Sequence, residues 1–491
     1  MADDKTKIQE IRQSEDRFLA SDLFEGNQRA LPPANGSGTI TEDAREVDVY
    51  HRSDVVVVGG GPAGCAAAWA AAKTGADVTL IERYNCLGGL STGGLVMWID
   101  RMSDWEGNHV IQGFARHFID RMPPEGVAGP SPEDWGSPDP EKVKYWGQRT
   151  SAHRGVVTWA PTLDPEHMKL VAQEMLLEAG VRLVFHAWAA RPVVEDGVAK
   201  GVIFESKQGR QAVMAKVVVD TTGDGDMFAR AGAEFATDIQ EDDPHHSVNT
   251  AFLLANVDML RWYAFRADNP EQFTEFLKHG REYCGFFNPP YASWRDDIAL
   301  FLGPRQSGLS ALDVDDMTEV EIRSHRLMQL HWEYFRDNAP GFENSYMQQS
   351  ASQLGVRHTR RMAGVAQIRR EDWSNGPPVA DEVGLSPSVS QKYPLVSVPY
   401  GSLVPRRLDG LLAAGRHMSC DANSHGFMRE IPQCWLTGQA AGVGAALAAD
   451  GGIQPRAVDV GEVRKVLREQ GAHLSDDTAV EAARAEHVAA E

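Results

Sequence analysis

A β-branched run followed at once by a glycine-rich turn constrains the fold of this chain more than any other feature. Residues 54–58 read Asp-Val-Val-Val-Val, a composition typical of a strand buried in a parallel sheet. The turn Gly59-Gly-Gly61-Pro-Ala-Gly64 has the spacing G-x-G-x-x-G and opens an alanine-rich segment that ends at Gly75. A second apolar run, 76–82, completes a strand–helix–strand unit. The sequence therefore predicts an α/β fold with a Rossmann-like domain.

Each element of this unit has a physical role in holding a dinucleotide. Gly59 permits the tight turn, Gly61 lets the backbone approach a pyrophosphate, and Gly64 lets helix and strand pack closely. The helix N-terminus adds N–H groups and a partial positive charge. Glu82 closes the second strand, where a carboxylate can accept hydrogen bonds from ribose hydroxyls. The predicted dinucleotide-binding residues of the unit are Gly59, Gly61, Pro62, Ala63, Gly64, Glu82 and Arg83.

Three further glycine-rich segments favour FAD over NAD as the dinucleotide. The stretch 87–94, Leu-Gly-Gly-Leu-Ser-Thr-Gly-Gly, lets the backbone run against a flat ring system. Residues 217–226 form a strand and then a glycine turn, and residues 411–416 precede a helix predicted from about Leu436 to Ala449. We expect the N-terminus of that helix, near Gly438, to lie at the far end of the site. The FAD-binding residues predicted from these segments are Gly88, Gly89, Leu90, Ser91, Thr222, Gly223, Asp224, Gly415 and Arg416.

Changes in composition divide the chain into five regions. The middle region is rich in aromatic residues, and after it the chain returns to the composition of the strand–glycine turn–helix segment that begins at Asp54. We therefore expect a Rossmann-like FAD-binding domain built from two chain segments, with an α+β cap or substrate domain inserted between them. The predicted regions are an N-terminal extension (1–53), the first segment of the FAD-binding domain (54–235), the cap (236–395), the second segment of the FAD-binding domain (396–450) and a C-terminal helical tail (451–491).

These segments, in this order, resemble the FAD-dependent oxidoreductases of the glutathione-reductase-like FAD fold. More closely, they resemble the broad bacterial FAD-dependent oxidoreductase family related to fumarate reductase and succinate dehydrogenase flavoproteins. Residues 355–361, Gly-Val-Arg-His-Thr-Arg-Arg, are similar to that family's G-I-R-E-T-R-R segment, with His358 in place of the glutamate. The segment after Leu87 has no histidine at the position where fumarate-reductase-like proteins can tether flavin. The resemblance therefore implies non-covalent FAD and leaves the substrate open.

The resemblance also suggests catalytic residues. His425-Gly-Phe-Met-Arg429 is similar to the H-G-A-N-R stretch of fumarate-reductase-like enzymes, in which the arginine contacts the substrate carboxylate. It implies that Arg429 binds an anionic or carbonyl group. His425 is a candidate proton carrier, since its ordinary pKa lies near neutrality, and His358 is a candidate for tuning the chemistry. The arginines of 357–361 are spaced as helical neighbours and would orient an anionic substrate or a flavin phosphate, or form interdomain salt bridges.

Composition excludes several other classes. The net charge of −21 argues against nucleic acid and anionic membranes as partners. The five cysteines form no CxxC, which removes dithiol and zinc-ribbon interpretations. No metal is expected, because residues 242–246, Asp-Asp-Pro-His-His, lack a ligand spacing that we recognise. Without a signal peptide or a long apolar run, the expected location is the cytoplasm, with a small-molecule substrate and a possible homo-oligomer.

We therefore predict an FAD-dependent oxidoreductase that transfers a hydride between a small to medium organic molecule and flavin N5. No second strand-associated G-x-G-x-x-G occurs, which argues against a dedicated NAD(P)H domain. One alternative is a flavin monooxygenase, disfavoured because the Gly415 turn lacks the D-A-A-H-type continuation. The other is a flavin-holding electron-transfer subunit, disfavoured as an autonomous relay by the missing iron–sulfur spacings.

Overall fold

The computed structural model describes residues 34, 36, 38–237, 248–285, 288–306, 308–373 and 378–490. Most of the predicted N-terminal extension and the segment 242–246 lie outside these residues. The helices are α1 (Pro62–Lys73), α2 (Phe114–Asp120), α3 (Pro140–Gln148), α4 (Pro165–Glu178), α5 (Asp226–Arg230), α6 (Met259–Asp268), α7 (Pro270–Cys284), α8 (Val314–Asn338), α9 (Ala422–Met428), α10 (Ile431–Gly451), α11 (Val460–Glu469) and α12 (Asp477–Ala490).

The strands range from two to twelve residues in length. They are β1 (Asp48–Val58), β2 (Val78–Ile81), β3 (Val127–Ala128), β4 (Ala152–His153), β5 (Val156–Val157), β6 (Thr162–Leu163), β7 (Arg182–Val184), β8 (Trp188–Glu195), β9 (Val198–Ser206), β10 (Gly209–Asp220), β11 (Phe235–Ala236), β12 (Val248–Asn249), β13 (Phe252–Ala255), β14 (Tyr291–Ala292), β15 (Ile298–Phe301), β16 (Arg305–Gln306), β17 (Tyr346–Ser350), β18 (Gly355–Val356), β19 (Arg361–Met362), β20 (Glu382–Pro387), β21 (Leu395–Pro399) and β22 (Leu411–Ala413).

A seven-stranded sheet of order β7-β2-β1-β10-β9-β8, with β22 also on β10, forms the centre of the nucleotide-binding region. Strands β7, β2, β1, β10 and β22 are parallel, whereas β8 and β9 form an antiparallel hairpin through the turn Asp196-Gly197. Val58 pairs with both Ile81 and Asp220, so the loops after these parallel strands leave the sheet at the same edge. The predicted α/β fold class is confirmed.

Strand β1 is longer than the apolar run predicts. It begins at Asp48, inside the segment predicted as an extension, and residues 48–53 pair with β10. The side chains of Asp48, Val49, Tyr50 and Arg52 are exposed, so this half of the strand lacks the buried apolar pattern that marks 54–58. A solvent-facing strand leaves little signal in the sequence.

Helix α10 packs directly on α1, and the prediction of its start was wrong. It begins at Ile431, and Pro432 lies in its first turn. Backbone N–H groups in a first turn have no acceptor within the helix, so the N–H that proline lacks costs no hydrogen bond. Gly438 therefore lies inside the helix, not at its N-terminus. A Cβ at Gly438 would lie 2.1 Å from the carbonyl oxygen of Ala63, and one at Gly442 would lie 2.2 Å from that of Ala67. These glycines bring the two helix backbones into contact.

The C-terminal segment is fastened to β20 by a buried ion pair. Arg464 on α11 donates from Nη1 to Oε1 of Glu382 over 3.1 Å, and their side chains are 2% and 0% exposed. Ser475 donates to both carboxylate oxygens of Glu382, from its backbone N–H and from its hydroxyl, over 2.8 Å each. The tail that the sequence predicts as helical contains two helices, α11 and α12. No described helix combines the length and hydropathy needed to cross a membrane.

Candidate cofactor and substrate site

A cavity of about 490 Å³ lies beyond the carboxyl ends of the parallel strands, within the usual range of small-molecule sites. Its walls include the loops after β1, β2, β10 and β22 and residues of the segment predicted as the cap. Most of the site residues predicted from the sequence face it. Those that line the cavity are Gly59, Gly61, Pro62, Ala63, Glu82, Arg83, Gly89, Leu90, Thr222, Gly223, Asp224, Gly415, Arg416 and Arg429.

The turn between β1 and α1 presents bare backbone to the cavity. Gly59 has φ +101°, and a Cβ there would lie 2.6 Å from the carbonyl oxygen of Thr221. A Cβ at Gly61 would meet no atom within 4 Å, and Gly89 approaches Gly61 from the side. The first-turn N–H groups of α1 have no acceptor within the helix. This cradle fits a pyrophosphate, which needs close backbone approach and N–H donors.

Three predicted cofactor residues lie behind this surface instead of lining it. A Cβ at Gly64 would lie 1.7 Å from the carbonyl oxygen of Gly59, so this glycine serves the contact between turn and helix. The Gly88 N–H donates to the carbonyl of Gly60 over 2.8 Å. The Ser91 hydroxyl donates to the carbonyl of Gly88 over 2.7 Å. Gly64, Gly88 and Ser91 therefore shape the two glycine turns.

Glu82 brings a buried carboxylate to the cavity wall at the end of β2. It is 6% exposed, and its two oxygens accept hydrogen bonds from the backbone N–H groups of Gly60 (2.6 Å) and Tyr84 (2.8 Å). A carboxylate has about four lone-pair sites, so two remain for hydroxyl donors. Beside it, the Arg83 guanidinium lies 5.0 Å from the Trp188 ring, which also lines the cavity. Carboxylate and flat ring together fit the ribose and adenine of a dinucleotide.

We expect Glu82→Gln to weaken FAD binding about ten- to a hundredfold, equivalent to roughly 1.5–3 kcal/mol for charge-assisted hydrogen bonds. In addition, the NH2 group of the glutamine would face the backbone N–H of Gly60 or of Tyr84, and two donors cannot form a hydrogen bond with each other. The dissociation constant is measured by titrating apoprotein with FAD and following flavin fluorescence. Glu205→Gln, on β9 and away from the cavity, is the matched control. Equal affinity in the two variants would contradict the assignment of Glu82.

Arg416 joins the two segments that form the nucleotide-binding region. Its Nε donates to the carbonyl of Gly223 (2.8 Å) and its Nη2 to Asp224 (2.7 Å). The Thr359 hydroxyl also donates to Asp224, over 2.9 Å. Burial by itself raises the pKa of the Asp224 carboxyl, but the Arg416 guanidinium and these hydrogen bonds hold it below its ordinary value. The turns after β10 and β22 are thereby fixed relative to each other.

A group of three arginines forms another section of the cavity wall. Arg305 lies on β16, Arg357 directly follows β18, and Arg429 ends α9, where its Nη2 is 3.0 Å from Glu430 Oε1. Burial, together with the neighbouring Arg429 and Arg305, lowers the pKa of Arg357 to about 9. Burial also raises the pKa of Tyr291, which remains a neutral phenol at neutral pH. This section of the cavity is therefore positively charged.

The two predicted catalytic histidines meet each other but do not line the cavity. The rings of His358 and His425 are 4.7 Å apart, edge to face, and both residues are buried. His425 Nε2 lies 3.0 Å from the carbonyl oxygen of Arg416. Both histidines lie outside the cavity lining, where His425 contacts the backbone of Arg416 and His358 follows Arg357 in the chain. Their catalytic roles stay predictions.

The sequence predicted residues 236–395 as a cap or substrate domain, but it did not identify the residues through which this segment reaches the cavity. Asn249, Tyr291 and Arg305 line the cavity, as does Trp98, which packs against Tyr291 at 5.6 Å. No motif marks Asn249, Tyr291 and Arg305, because each of them lies on a strand of only two residues. The helical interpretation of 357–361 was wrong, since this segment contains no helix and ends in strand β19. Arg357 and Arg360 line the cavity, and Arg361 does not.

The fold and the cradle define a dinucleotide-binding flavoprotein. The chain belongs to the FAD-dependent oxidoreductase family, because the family model described as FAD dependent oxidoreductase matches residues 54–467. The predicted family, the enzyme class and FAD as cofactor are thereby confirmed.

Curated relatives match only sections of the chain. Digeranylgeranylglycerophospholipid reductase 2 of Methanopyrus kandleri is 30% identical over 178 residues, which are 35% of this chain and 37% of that protein. Thiamine thiazole synthase of Aeropyrum pernix is 57% identical over 47 residues, 9% of this chain and 17% of that protein. The matches span well under half the length of these relatives.

Solved structures of similar proteins differ widely in their reactions. A geranylgeranyl bacteriochlorophyll reductase-like protein from Thermoplasma acidophilum is 15% identical with a TM-score of 0.42, covering 88% of this chain and 90% of its own. A flavin-dependent brominase is 13% identical with a TM-score of 0.45, covering 85% of this chain and 83% of its own. Neither likeness carries an argument about the reaction of this chain.

Proposed function

We propose that this FAD-dependent oxidoreductase transfers a hydride between flavin N5 and a small organic substrate whose anionic group binds to Arg429. The observation that carries the proposal is the shared cavity. Arg429 lines the same cavity as the dinucleotide cradle at Gly61 and Glu82. A guanidinium on that wall is placed to hold a substrate in the space that the cofactor also enters.

FAD, when bound without a covalent link, supplies a hydride acceptor or donor at its N5 atom. The chain's own residues bind and orient the reactants. Arg429 offers a planar fork of N–H donors to a carboxylate or enolate, and Glu430 holds that fork in place. The N-terminus of α10, at Ile431 on the cavity wall, adds a partial positive charge for a developing anion. Trp98 and Tyr291 cover the same section of the cavity with rings that limit the access of water.

The names of the curated relatives suggest reactions, but they do not supply the substrate for this proposal. The reductase and synthase matches cover 35% and 9% of this chain. The residues that we place at the substrate, among them Tyr291, Arg305 and Arg429, come from the inserted region and from the segment after β22. We therefore base the substrate class on the charge of the cavity.

The proposal is tested by anaerobic reduction of the purified holoenzyme with a panel of organic acids and their uncharged amides or esters. We expect at least one acid to bleach the flavin absorbance in a single turnover, and the matched uncharged compound to bleach it more slowly by a factor of about ten or more. NAD(P)H with oxygen is the comparison for a monooxygenase. If NAD(P)H reduces the flavin and the acid alone does not, and if the reduced flavin then consumes oxygen and acid together, the enzyme is a monooxygenase. That result would reject hydride transfer from the acid.

A further inference from the structure

One side chain on the cavity wall carries a buried hydrogen-bond donor that the folded chain leaves unused. Gln353 lies two residues before β18, lines the cavity and is 7% exposed. Its amide nitrogen Nε2 is buried, and no described residue accepts a hydrogen bond from it. A buried N–H group without an acceptor costs free energy, and nearly all such groups in folded proteins are paired. We therefore expect the acceptor for this amide to be a molecule that occupies the cavity.

The chain makes room for the Gln353 side chain at Gly93, in the glycine-rich turn after β2. A Cβ at Gly93 would lie 2.5 Å from Nε2, 2.8 Å from Cδ and 3.0 Å from Cγ of Gln353, and no other atom is as near. The φ of Gly93 is outside the left-handed region, so the backbone conformation does not require glycine. Glycine is required here because the amide of Gln353 packs directly on the turn.

The same turn extends from the pyrophosphate cradle to Gln353. Near its start, a Cβ at Gly89 would lie 2.8 Å from the Cα of Gly61 in the cradle. The stretch 87–94, which contains Gly89 and Gly93, is predicted to run against the flavin ring. Because FAD is the cofactor of the family, we expect the flavin ring to supply the acceptor for Gln353.

We propose that Gln353 is a flavin-binding residue whose Nε2 donates a hydrogen bond to the C4 carbonyl oxygen of the ring and thereby raises its reduction potential. When a hydride brings two electrons and a proton to the ring, its carbonyl oxygens become more negative. A fixed N–H donor then stabilises the reduced form more than the oxidised form. The choice of the C4 carbonyl, which borders N5, rests on the proposed function, because that function turns N5 toward the substrate wall that Gln353 shares with Tyr291. The contact with the ring itself does not rest on it.

Backbone hydrogen bonds hold Gln353 on the turn independently of its side chain. The N–H groups of Ser352 and Gln353 both donate to the carbonyl oxygen of Gly93, over 2.9 and 3.1 Å. A change of the Gln353 side chain leaves both bonds available. Such variants therefore separate the hydrogen bond to the flavin from the position of the turn.

The first test measures the reduction potential of Gln353→Met, which removes the donor with little change in side-chain volume. We expect this variant to retain FAD and to be reduced about tenfold less favourably, a potential about 30 mV lower for a two-electron couple. The potential is measured by slow anaerobic reduction in the presence of a reference dye. Gln329→Met is the matched control, because Gln329 is exposed and donates to Glu333 outside the cavity lining. It should keep the parent potential.

Infrared spectra of the oxidised, substrate-free holoenzyme then identify the acceptor. Apoprotein of the parent and of Gln353→Met is reconstituted with FAD that carries a heavy carbon isotope at C4 or at C2, which assigns the two carbonyl bands. A hydrogen bond lowers the stretching frequency of a carbonyl, so we expect the C4 band to move to higher frequency in Gln353→Met and the C2 band to stay in place. A C4 band at the same frequency in both proteins overturns the proposal.

Gly93→Ala tests the same contact from the other side. Its methyl group would occupy the place of the Gln353 amide, so we expect the C4 band and the potential to change in the same direction as in Gln353→Met. Gln353→Ala removes all three atoms that would crowd this methyl group, and in that background Gly93→Ala should add nothing. If the two changes in potential are fully additive, Gly93→Ala acts elsewhere and the proposal is rejected.

The remaining outcomes separate this inference from the proposed function. If Gln353→Met weakens the binding of an organic acid but leaves the carbonyl bands and the potential of the substrate-free enzyme unchanged, the amide serves the substrate. The proposed function then stands and this inference does not. If the C2 band moves in place of the C4 band, both the inference and the orientation of N5 in the proposed function are wrong. Loss of FAD from Gln353→Met, with a parent-like potential in the remaining holoenzyme, also overturns the inference.

Discussion

Arg429→Lys is expected to keep its FAD and its fold and to lower the rate of flavin reduction by substrate about a hundredfold, or about 2.7 kcal/mol in the activation barrier. Lysine retains the charge but cannot offer the planar pair of N–H donors that holds a carboxylate bidentately. The measurement is anaerobic stopped-flow reduction with an acid found in the substrate panel.

Arg407→Lys provides the control, since Arg407 is exposed and forms an ion pair with Glu234 away from the cavity. Its reduction rate should equal that of the parent enzyme. If Arg429→Lys instead loses flavin while the remaining holoenzyme is reduced at the normal rate, Arg429 is a structural residue.

Arg464→Ala is expected to lower the free energy of unfolding by about 3–5 kcal/mol, the usual effect of removing one partner from a buried ion pair. Glu382, whose side chain is 0% exposed, would keep its charge and lose its guanidinium partner. Urea unfolding followed by circular dichroism and by flavin release measures the change.

Two further variants separate the buried pair from its surroundings. Arg468→Ala removes a partly exposed arginine bound to the exposed Asp477, and should change stability by about 1 kcal/mol or less. The double variant Arg464→Met with Glu382→Leu should recover much of the loss, because no buried charge is left alone. A loss below about 1 kcal/mol in Arg464→Ala would show that water or movement of the tail replaces the arginine.

The dinucleotide-binding half of the site could be predicted because its signals are local. In the Gly59 turn, the conformation and the close approach depend on residues a few positions apart, and Glu82 follows one helix later. The start of helix α10 also has a local signal, because Pro432 is typical of a first helical turn. The predicted start was too late because it was placed where the alanine- and glycine-rich composition begins, after Leu436.

The substrate-binding half could not be predicted in the same way. Arg305 pairs with Asn249, and so does Gly355, two residues before Arg357, through strands of two residues that are too short for any periodic pattern. In the sequence, a charged residue on such a strand cannot be distinguished from a charged residue in a surface loop. The resemblance pointed to Arg429, and the segment 357–361 made Arg357 a candidate for orienting an anionic substrate or a flavin phosphate, but nothing in the sequence pointed to Arg305.

The order in which β22 and α10 are made affects how the newly synthesised chain must fold. Strand β22 follows the end of β10 by about 190 residues, so at 5–20 residues per second it leaves the ribosome roughly 10–40 s later. During that interval the last three residues of β10, Val218 to Asp220, and the face of α1 that later contacts Gly438 and Gly442 lack their native partners. Such a chain is exposed to aggregation and suited to chaperone binding. FAD can enter a finished site only near the end of synthesis, so supply of the cofactor protects the completed enzyme more than the nascent one.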